Sequence, residues 1–269
     1  MSRIALVRRP TTDLAAGQVT HIERVPVDVD LAMEQHAAYC QALTSSGWQL
    51  HHVDPAPGCP DAVFVEDSVV VVDSTAVLTR SGSVGRRGEL DGTERAVRQL
   101  GLEVRHISGE ATLDGGDVLQ VGNTMYVGRG GRTNAEGVRQ LRQLVTPLGR
   151  TVIPVRLLEV LHLKSAVTAL PDGTMLALPD LIERGVIPAP RPVDEEAGCH
   201  VVPLGPGEAL ISASAPRTAE HLADLGYDLR VVDISEFEKL EGCVTCLSVL
   251  ISLDASPVAD AAPPPSLDR

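Results

Sequence analysis

The sequence predicts an α/β fold in which a unit of hairpin, helix and strand is repeated around an axis. Pairs of strand-like segments joined by tight turns alternate with amphipathic helices, and each helix is followed by another short strand-like run. These units recur at a spacing of roughly 35 to 55 residues, although the copies share a pattern and not residue identities. The alternative, a doubly wound parallel sheet, predicts fewer hairpin turns.

The strand pairs are the clearest part of the repeated unit. Four of them flank short turns rich in Gly, Pro, Asn, Asp and Ser, residue types that adopt the backbone conformations of hairpins. These four predicted pairs span residues 62–72 with 75–79, 117–121 with 125–127, 163–170 with 175–178, and 201–204 with 209–211. A fifth pair, residues 244–253 with residues 4–8, would bring the two ends of the chain together.

Helices with apolar residues at helical spacing fit between the hairpins. They are predicted over residues 30–45, 92–100, 134–148 and 218–225. The strand-like runs that follow them cover residues 49–53, 103–107, 151–155 and 229–232. Residues 255–269 include three successive prolines and are predicted to form a disordered tail.

Composition and charge restrict the possible partners. The chain has 269 residues, of which 43% are apolar and 22% charged, as in a soluble globular protein, and its formal net charge is −13. Because only 2% of residues are aromatic, few side chains could stack on bases, and the acidic charge repels phosphate backbones. We therefore expect no nucleic-acid partner, whereas small cations are attracted.

The cellular location is expected to be the cytoplasm. No apolar run approaches the roughly 20 residues that span a bilayer, which argues against membrane insertion, and the N-terminus lacks the apolar segment of a secretory signal. The five cysteines are an odd and sparse set, which suits reduced thiols better than a disulfide framework.

Cys243 and Cys246 have the spacing of a CxxC motif. A redox pair normally begins a helix and a zinc site needs a second pair of ligands, and neither context is present. One interpretation is that both cysteines are small buried residues, which is the ordinary role of a free cysteine. The sharper interpretation places a nucleophile at the start of a strand, and it requires a histidine from elsewhere in the chain.

His162 has the most suggestive setting of the eight histidines. Strand alternation over residues 161–164 would place His162 and Lys164 on one polar face and two leucines on the buried face. A buried structural histidine is the alternative interpretation for this position.

Acidic and basic residues form three further groups. Asp61, Glu66 and Asp67 border apolar runs, where carboxylates are costly to bury without a cation or hydrogen-bond donors. Asp114 and Asp117 enclose two glycines, which fit either a plain hairpin turn or a close backbone approach to a ligand. Two loops carry Arg86–Arg87 and Arg132, which are either solvated charges or clamps for a carboxylate.

Taken together, these residues resemble the dimethylarginine dimethylaminohydrolase family of guanidino-group modifying enzymes. Each fragment is weak alone, but their common order along most of the chain is specific. The matching fragments are residues 28–30, 34–36, Tyr39, Asp61, 64–67, 86–87, 113–119, 131–134, 161–165, 238–242, 245–246 and 248–251. Only the C-terminal tail and parts of residues 179–199 fall outside the resemblance.

The resemblance implies a five-bladed α/β propeller, with residues 1–254 as a single catalytic domain. It implies that Cys246 is the nucleophile, His162 the general acid and base, and Asp114 the carboxylate that orients His162. Cys243 is expected to be structural, because it stands where the family commonly has a leucine.

The family also implies which residues bind the substrate. By this resemblance Glu66 and Asp67 hold the guanidinium and Asp61 holds the amino end. Arg86 and Arg132 bind the α-carboxylate, and the carbonyl of Leu240 is a further contact. Residues 11–20, with Gly17, form a lid.

The implied reaction cleaves the C–N bond of asymmetric dimethylarginine or monomethylarginine through a covalent thiouronium on Cys246. It yields citrulline with dimethylamine or methylamine and requires no cofactor, although zinc could bind Cys246 and His162 and block them. One alternative is a deiminase of arginine or another guanidino compound. A less favoured alternative is a non-enzymatic binding protein with the same propeller, as in ribosome anti-association factors.

Overall fold

The computed structural model describes residues 2–253, which form five three-stranded sheets and five α-helices. The predicted tail, residues 255–269, lies outside the described residues. The strands are β1 (Ser2–Val7), β2 (Gln49–His52), β3 (Val69–Val72), β4 (Thr75–Leu78), β5 (Glu103–His106), β6 (Val118–Val121), β7 (Thr124–Arg129), β8 (Thr151–Arg156), β9 (Val167–Ala169), β10 (Met175–Ala177), β11 (Arg191–Pro192), β12 (Val201–Gly205), β13 (Glu208–Ser212), β14 (Asp228–Val232) and β15 (Val249–Leu253). The helices are α1 (Val29–Ser45), α2 (Leu90–Gln99), α3 (Ala135–Val145), α4 (Pro216–Asp224) and α5 (Ser235–Glu238).

Each sheet has the same internal arrangement, with an antiparallel pair and a third strand parallel to one member of that pair. In three sheets the chain runs hairpin, helix, strand as predicted: β3-β4-α2-β5, β6-β7-α3-β8 and β12-β13-α4-β14. In the sheet of β9, β10 and β11 the connection carries the 3-10 helix Pro179–Leu181 instead of an α-helix.

The ends of the described chain pair with each other. Strand β15 runs antiparallel to β1, with Ser2 opposite Leu253, and β2 runs parallel to β1 on its other side. The predicted pairing of residues 244–253 with residues 4–8 is therefore confirmed in kind, although the strand begins only at Val249.

Three of the predicted strands are wrong at one end. Residues 62–68 form parts of the 3-10 helices Pro60–Val63 and Val65–Ser68, and residues 163–165 form another. Residues 244–248 lie in a turn before β15. In each segment long-range hydrogen bonds override the local strand propensity; the N–H of Glu66, for example, donates to the carbonyl of Cys246 at 3.2 Å.

Apolar residues cover the inner faces of the helices and sheets, and one of the resulting cores fixes the segment before β15. Tyr39 of α1 is fully buried, and its hydroxyl donates to the carbonyl of Val244 at 2.9 Å and lies 2.7 Å from the hydroxyl of Ser248. The segment that carries Cys246 is thereby attached to the first helix. No helix within residues 2–253 combines the length and the apolar character needed to cross a bilayer.

Arg8 fastens three segments at the end of β1. Its side chain is fully buried and donates to the backbone carbonyls of Asp54, Ala62 and Glu89, at 2.9, 3.1 and 2.8 Å. It also donates to the hydroxyl of Thr93 at 3.1 Å. Ala62 and Glu89 lie in 3-10 helices and Asp54 follows β2, so no strand pairs with these residues. Arg8 supplies donors to their carbonyls instead.

We expect Arg8→Met to lower the free energy of unfolding by about 3 kcal/mol or more, because it removes four hydrogen bonds that a fully buried side chain makes. Urea unfolding monitored by circular dichroism measures this change, with the exposed neighbour Arg9→Met as the matched control. Equal and small losses in the two variants would contradict the role of Arg8.

Candidate active site

Seven of the nine predicted site residues line one small pocket of about 20 Å³. They are Asp61, Asp67, Arg86, Arg132, His162, Leu240 and Cys246. Gln18, Phe64, Leu161, Glu241 and Gly242 complete the wall. Asp114 lies beneath His162 without lining the pocket, and Glu66 lines a different cavity.

Asp67 is a buried carboxylate surrounded by donors and positive charges. Arg86 donates to its Oδ2, the N–H of Gly116 donates to its Oδ1 at 2.9 Å, and Nδ1 of His162 lies 3.8 Å from Oδ1. Burial favours the neutral acid, but the charges of His162 and Arg86 outweigh it and hold the pKa of Asp67 below its usual range. Asp67 is therefore ionised in the pocket wall.

His162 lies between two carboxylates. Its Nε2 is 3.1 Å from Oδ2 of Asp114, on the side opposite Asp67. Burial favours the neutral ring, but Asp67, Asp114 and Asp117 outweigh it and raise the pKa of His162 to about 9. The imidazole is therefore protonated at neutral pH and can donate a proton.

Asp117 fixes the backbone at His162 from below. One of its oxygens accepts from the N–H of Leu163 at 2.9 Å and the other from the hydroxyl of Thr133. Burial raises the pKa of Asp117 to about 7. The strand alternation predicted for residues 161–164 is wrong, because His162 precedes a 3-10 helix that this carboxylate anchors.

Gly115 and Gly116 allow two segments to approach closely. A Cβ at Gly115 would lie 2.0 Å from the carbonyl oxygen of Glu66, and a Cβ at Gly116 would lie 2.8 Å from Nδ1 of His162. Of the two interpretations of these glycines, the plain hairpin turn is wrong, since the turn of that hairpin lies at residues 122–123. The backbone does approach another group closely at these glycines, but that group is the protein's own backbone at Gly115 and its own imidazole at Gly116.

Asp61 and Arg132 each present a buried polar atom with no hydrogen-bond partner among the described residues: Oδ2 of Asp61 and Nη1 of Arg132. The other oxygen of Asp61 accepts from the N–H of Gln18 at 3.0 Å. Nη1 of Arg132 is 3.9 Å from Asp114, beyond hydrogen-bond distance. One pocket thus offers an unsatisfied acceptor and an unsatisfied donor.

Arg86 is engaged within the protein. It donates to Asp67, to both oxygens of Glu89, and to the backbone carbonyls of Asp61 and Phe64. The sequence predicts that it binds a substrate carboxylate together with Arg132. In the structure its side chain instead secures Asp67 and the segment around it.

Glu66 is separated from Asp67 although the two are adjacent in sequence. Nζ of Lys164 is 2.5 Å from Oε1 of Glu66, and the hydroxyl of Thr245 donates to Oε2 at 3.1 Å. Burial raises the pKa of Glu66 to about 7, which the charge of Lys164 only partly offsets. Because a 3-10 helix turns about 120° per residue, the consecutive side chains of Glu66 and Asp67 point in different directions. The structure therefore does not bring the two carboxylates together on one ligand, although the sequence predicts this.

Cys246 lies in the wall beside His162 and close to Cys243. The two sulfurs are 3.2 Å apart, and the N–H of Cys246 donates to the carbonyl of Cys243 at 3.0 Å. The hydrogen bond between the thiols lowers the pKa of Cys243 and raises the pKa of Cys246. The carboxylates of Glu66 and Asp67 also favour the protonated form of Cys246.

The loop of residues 11–20 lies over the pocket. Besides the bond from Gln18 to Asp61, the backbone N–H groups of Thr20 and His21 donate to the carboxylate of Glu241 on the opposite rim. A Cβ at Gly17 would lie 2.8 Å from Asp61, so the loop fits only with glycine there. The pocket under it has room for about one water molecule.

Sequence reasoning assigned no role to three residues of the site. Glu89 ends a 3-10 helix and reaches the site only through its bonds to Arg86. Gln18 and Glu241 lie in the predicted lid and in a fragment that matches the family, but neither was assigned a role, and only the folded chain brings them to the pocket. Leu240 is 3% exposed and lies in the wall of the pocket, and the contact of its carbonyl with substrate stays a prediction.

A cluster of three possible metal ligands, Asp67, Asp114 and His162, has its ligand atoms within 4.8 Å of one another in the described part of the chain. Arg86 and the imidazolium already balance these carboxylates. A divalent ion would have to displace a proton from His162, which is unfavourable near neutral pH. Cys246 is not part of this cluster, and zinc binding by Cys246 with His162 stays a prediction.

Known proteins resemble this chain in sequence and in structure. A sequence-family model described as "RNA-editing substrate-binding complex 5 protein" matches residues 3–180. The N(G),N(G)-dimethylarginine dimethylaminohydrolase of Streptomyces coelicolor is 57% identical over 249 residues, which cover 92% of this chain and 96% of that protein.

Two solved structures share the fold along 93% of this chain and all of theirs. One is a histidine-to-glycine variant of dimethylarginine dimethylaminohydrolase in an adduct with S-methyl-L-thiocitrulline, with 32% identity and a TM-score of 0.87. The other is a cysteine-to-serine mutant of the Pseudomonas aeruginosa enzyme with citrulline, with 31% identity and a TM-score of 0.84. The chain therefore belongs to the family that the sequence model describes and, by its high identity to the Streptomyces protein, to the dimethylarginine dimethylaminohydrolase family.

Proposed function

We propose that this protein hydrolyses Nω-methylated arginines to citrulline and dimethylamine or methylamine. One observation carries the proposal: a single buried pocket joins the unsatisfied Asp61 and Arg132 to Asp67, His162 and Cys246. The first two suit the charged ends of an amino acid, and the other three suit chemistry on a guanidinium. The names of the relatives, and the citrulline and thiocitrulline in two related structures, support the same substrate class.

Substrate recognition follows from the two unsatisfied atoms. Oδ2 of Asp61 would accept from the α-ammonium and Nη1 of Arg132 would donate to the α-carboxylate. Since an arginine derivative is far larger than one water molecule, the loop of residues 11–20 must open to admit it.

The guanidinium would lie against Asp67, the ionised carboxylate that lines the pocket. A cation between Asp67 and Cys246 would lower the pKa of the Cys246 thiol, whose protonated form is favoured in the free protein. Binding of a cationic substrate thus favours the thiolate form of Cys246, which is the nucleophile. Glu66 acts from behind the wall through its charge and through its bond to Thr245.

The thiolate of Cys246 would attack the central guanidinium carbon and form a carbon–sulfur bond. His162, protonated at neutral pH, would give its proton to the departing dimethylamine, leaving a thiouronium on the sulfur. The neutral imidazole would then take a proton from a water that attacks the same carbon. Cleavage of the carbon–sulfur bond releases citrulline, and Asp114 keeps the ring oriented throughout.

We propose that the five sheets are the blades of one propeller formed by residues 1–254, with no cofactor in the reaction. All five cysteines are free thiols in the structure, which supports a reducing compartment such as the cytoplasm.

Citrulline release tests the function directly. Incubation with asymmetric dimethylarginine, monomethylarginine and arginine at equal concentrations should give citrulline from the methylated compounds and much less from arginine. Preferred turnover of arginine with release of ammonia would support the deiminase alternative, and no citrulline from any of the three would favour a non-enzymatic binding protein.

Replacing each cysteine of the turn by serine should show which of the two sulfurs is the nucleophile. We expect Cys246→Ser to lower kcat by about 10³-fold or more, because a hydroxyl of much higher pKa replaces the nucleophile. Cys243→Ser should keep most of the citrulline-forming activity, since Cys243 does not line the pocket. Comparable losses in both variants would contradict this assignment.

Mutations of the residues that bind the two ends of the substrate should have different kinetic effects. Asp67→Asn removes a charge-assisted contact and should lower kcat/KM by roughly 10- to 100-fold, mainly through kcat. Arg132→Ala should mainly raise KM, because it loosens a remote carboxylate.

Glu66→Gln is the matched control for Asp67→Asn, since it neutralises the neighbouring carboxylate outside the pocket. It should lower kcat/KM less than Asp67→Asn does. Steady-state kinetics with asymmetric dimethylarginine measure all three variants. A fall in kcat without a change in KM for Arg132→Ala would mean that the substrate has no α-carboxylate at this position.

A further inference from the structure

The segment from Cys243 to Cys246 holds two thiols against each other, which the proposed reaction does not require. The sulfurs are 3.2 Å apart, and their side chains are 3% and 6% exposed. The other cysteines contact different groups: Cys40 a histidine nitrogen, and Cys59 and Cys199 backbone carbonyls. Within the described residues this pair of thiols, of which Cys246 lines the pocket, is therefore a distinct feature.

The backbone at this pair has the geometry that a disulfide needs. The 3.0 Å bond from the N–H of Cys246 to the carbonyl of Cys243 closes a turn of four residues, whose end Cα atoms lie within about 7 Å. Disulfides join cysteines whose Cα atoms are about 4.4 to 6.8 Å apart. The sulfurs need to approach each other by only about 1 Å to reach bonding distance.

The chemical environment supplies a reactive sulfur and a route to it. Cys246 lines the pocket, so a small molecule that enters the pocket meets its sulfur. The N–H of Cys243 points at Sγ of Cys246 at 3.4 Å, and the hydroxyl of Thr245 lies 3.2 Å from Sγ of Cys243. Hydrogen bonds of this kind stabilise a thiolate at one of the two sulfurs, and the thiolate is the form that oxidants attack.

We propose that Cys243 is a resolving cysteine, which forms a reversible disulfide with Cys246 when a peroxide reaches the pocket and so switches the hydrolase off. This proposal rests on the proposed function of Cys246 as the nucleophile. A proton that moves across the 3.2 Å between the sulfurs lets Cys246, the sulfur that lines the pocket, react as the thiolate. In balance, the Cys246 thiol and hydrogen peroxide give a sulfenic acid and one water. The Cys243 thiol then displaces a second water from that sulfur, so that two thiols are oxidised by two electrons and one peroxide is reduced to two waters.

The disulfide has two consequences for the enzyme. Cys246 can no longer attack a guanidinium, so hydrolysis stops. Its sulfur is also protected from further oxidation to a sulfinic acid, which dithiols do not reverse. Reduction by a dithiol restores both thiols and the activity.

The test compares the wild type, Cys243→Ser and the remote control Cys199→Ser after treatment with hydrogen peroxide. In the wild type we expect the free thiols of the denatured protein to fall from five to three. The peptide that contains both cysteines should lose about 2 Da, and citrulline formation should fall and then return with dithiothreitol. Cys199→Ser should behave in the same way, starting from one thiol fewer.

Cys243→Ser should lose its citrulline-forming activity to peroxide without forming this disulfide. On longer exposure its Cys246 peptide should gain about 32 Da, and dithiothreitol should no longer restore activity. Oxidation of wild-type Cys246 to the sulfinic acid, with no loss of 2 Da, would overturn the proposal, as would equal recovery of the wild type and Cys243→Ser. If the untreated protein releases no citrulline, the proposed function fails, while the thiol count and peptide mass still decide whether the disulfide forms.

Discussion

The ion pair between Asp67 and Arg86 is the interaction on which the rest of the site depends. A carboxylate that is 4% exposed stays ionised only if positive charge is held against it, and Arg86 supplies that charge from a side chain that is itself buried. Glu89 in turn balances Arg86. The alternating charges continue through His162 to Asp114, so the reactive imidazolium is part of the same buried network.

This network sets the backbone around it. The segments that carry Asp67, His162 and Cys246 all leave the strand conformation at the pocket, where side-chain bonds replace sheet pairing. Gly115 and Gly116 let a further segment come close enough to donate an N–H to Asp67. Arg8 donates to carbonyls of three connecting segments in the same manner, so the sheets provide the frame and buried cations hold the connecting segments to it.

Sequence reasoning predicted the regular parts of this frame, because hairpins and amphipathic helices follow from local periodicity. It failed over residues 62–68, whose apolar pattern suits a strand but whose conformation is set by distant partners. The separation of Glu66 from Asp67 depends on that same local turn. The bond between His162 and Asp114 joins residues 48 positions apart, and no local pattern predicts such a pairing; only the resemblance to a family suggested it.

The central claim is that Cys246 forms a covalent bond to the guanidinium carbon of a methylated arginine. Acid quenching during turnover of asymmetric dimethylarginine, followed by proteolysis and tandem mass spectrometry, locates such an adduct. We predict that the fragment ions place the added mass on Cys246 and leave Cys243 unmodified. An adduct on Cys243, or rapid citrulline formation with no adduct on any cysteine under the same quench, would contradict the account.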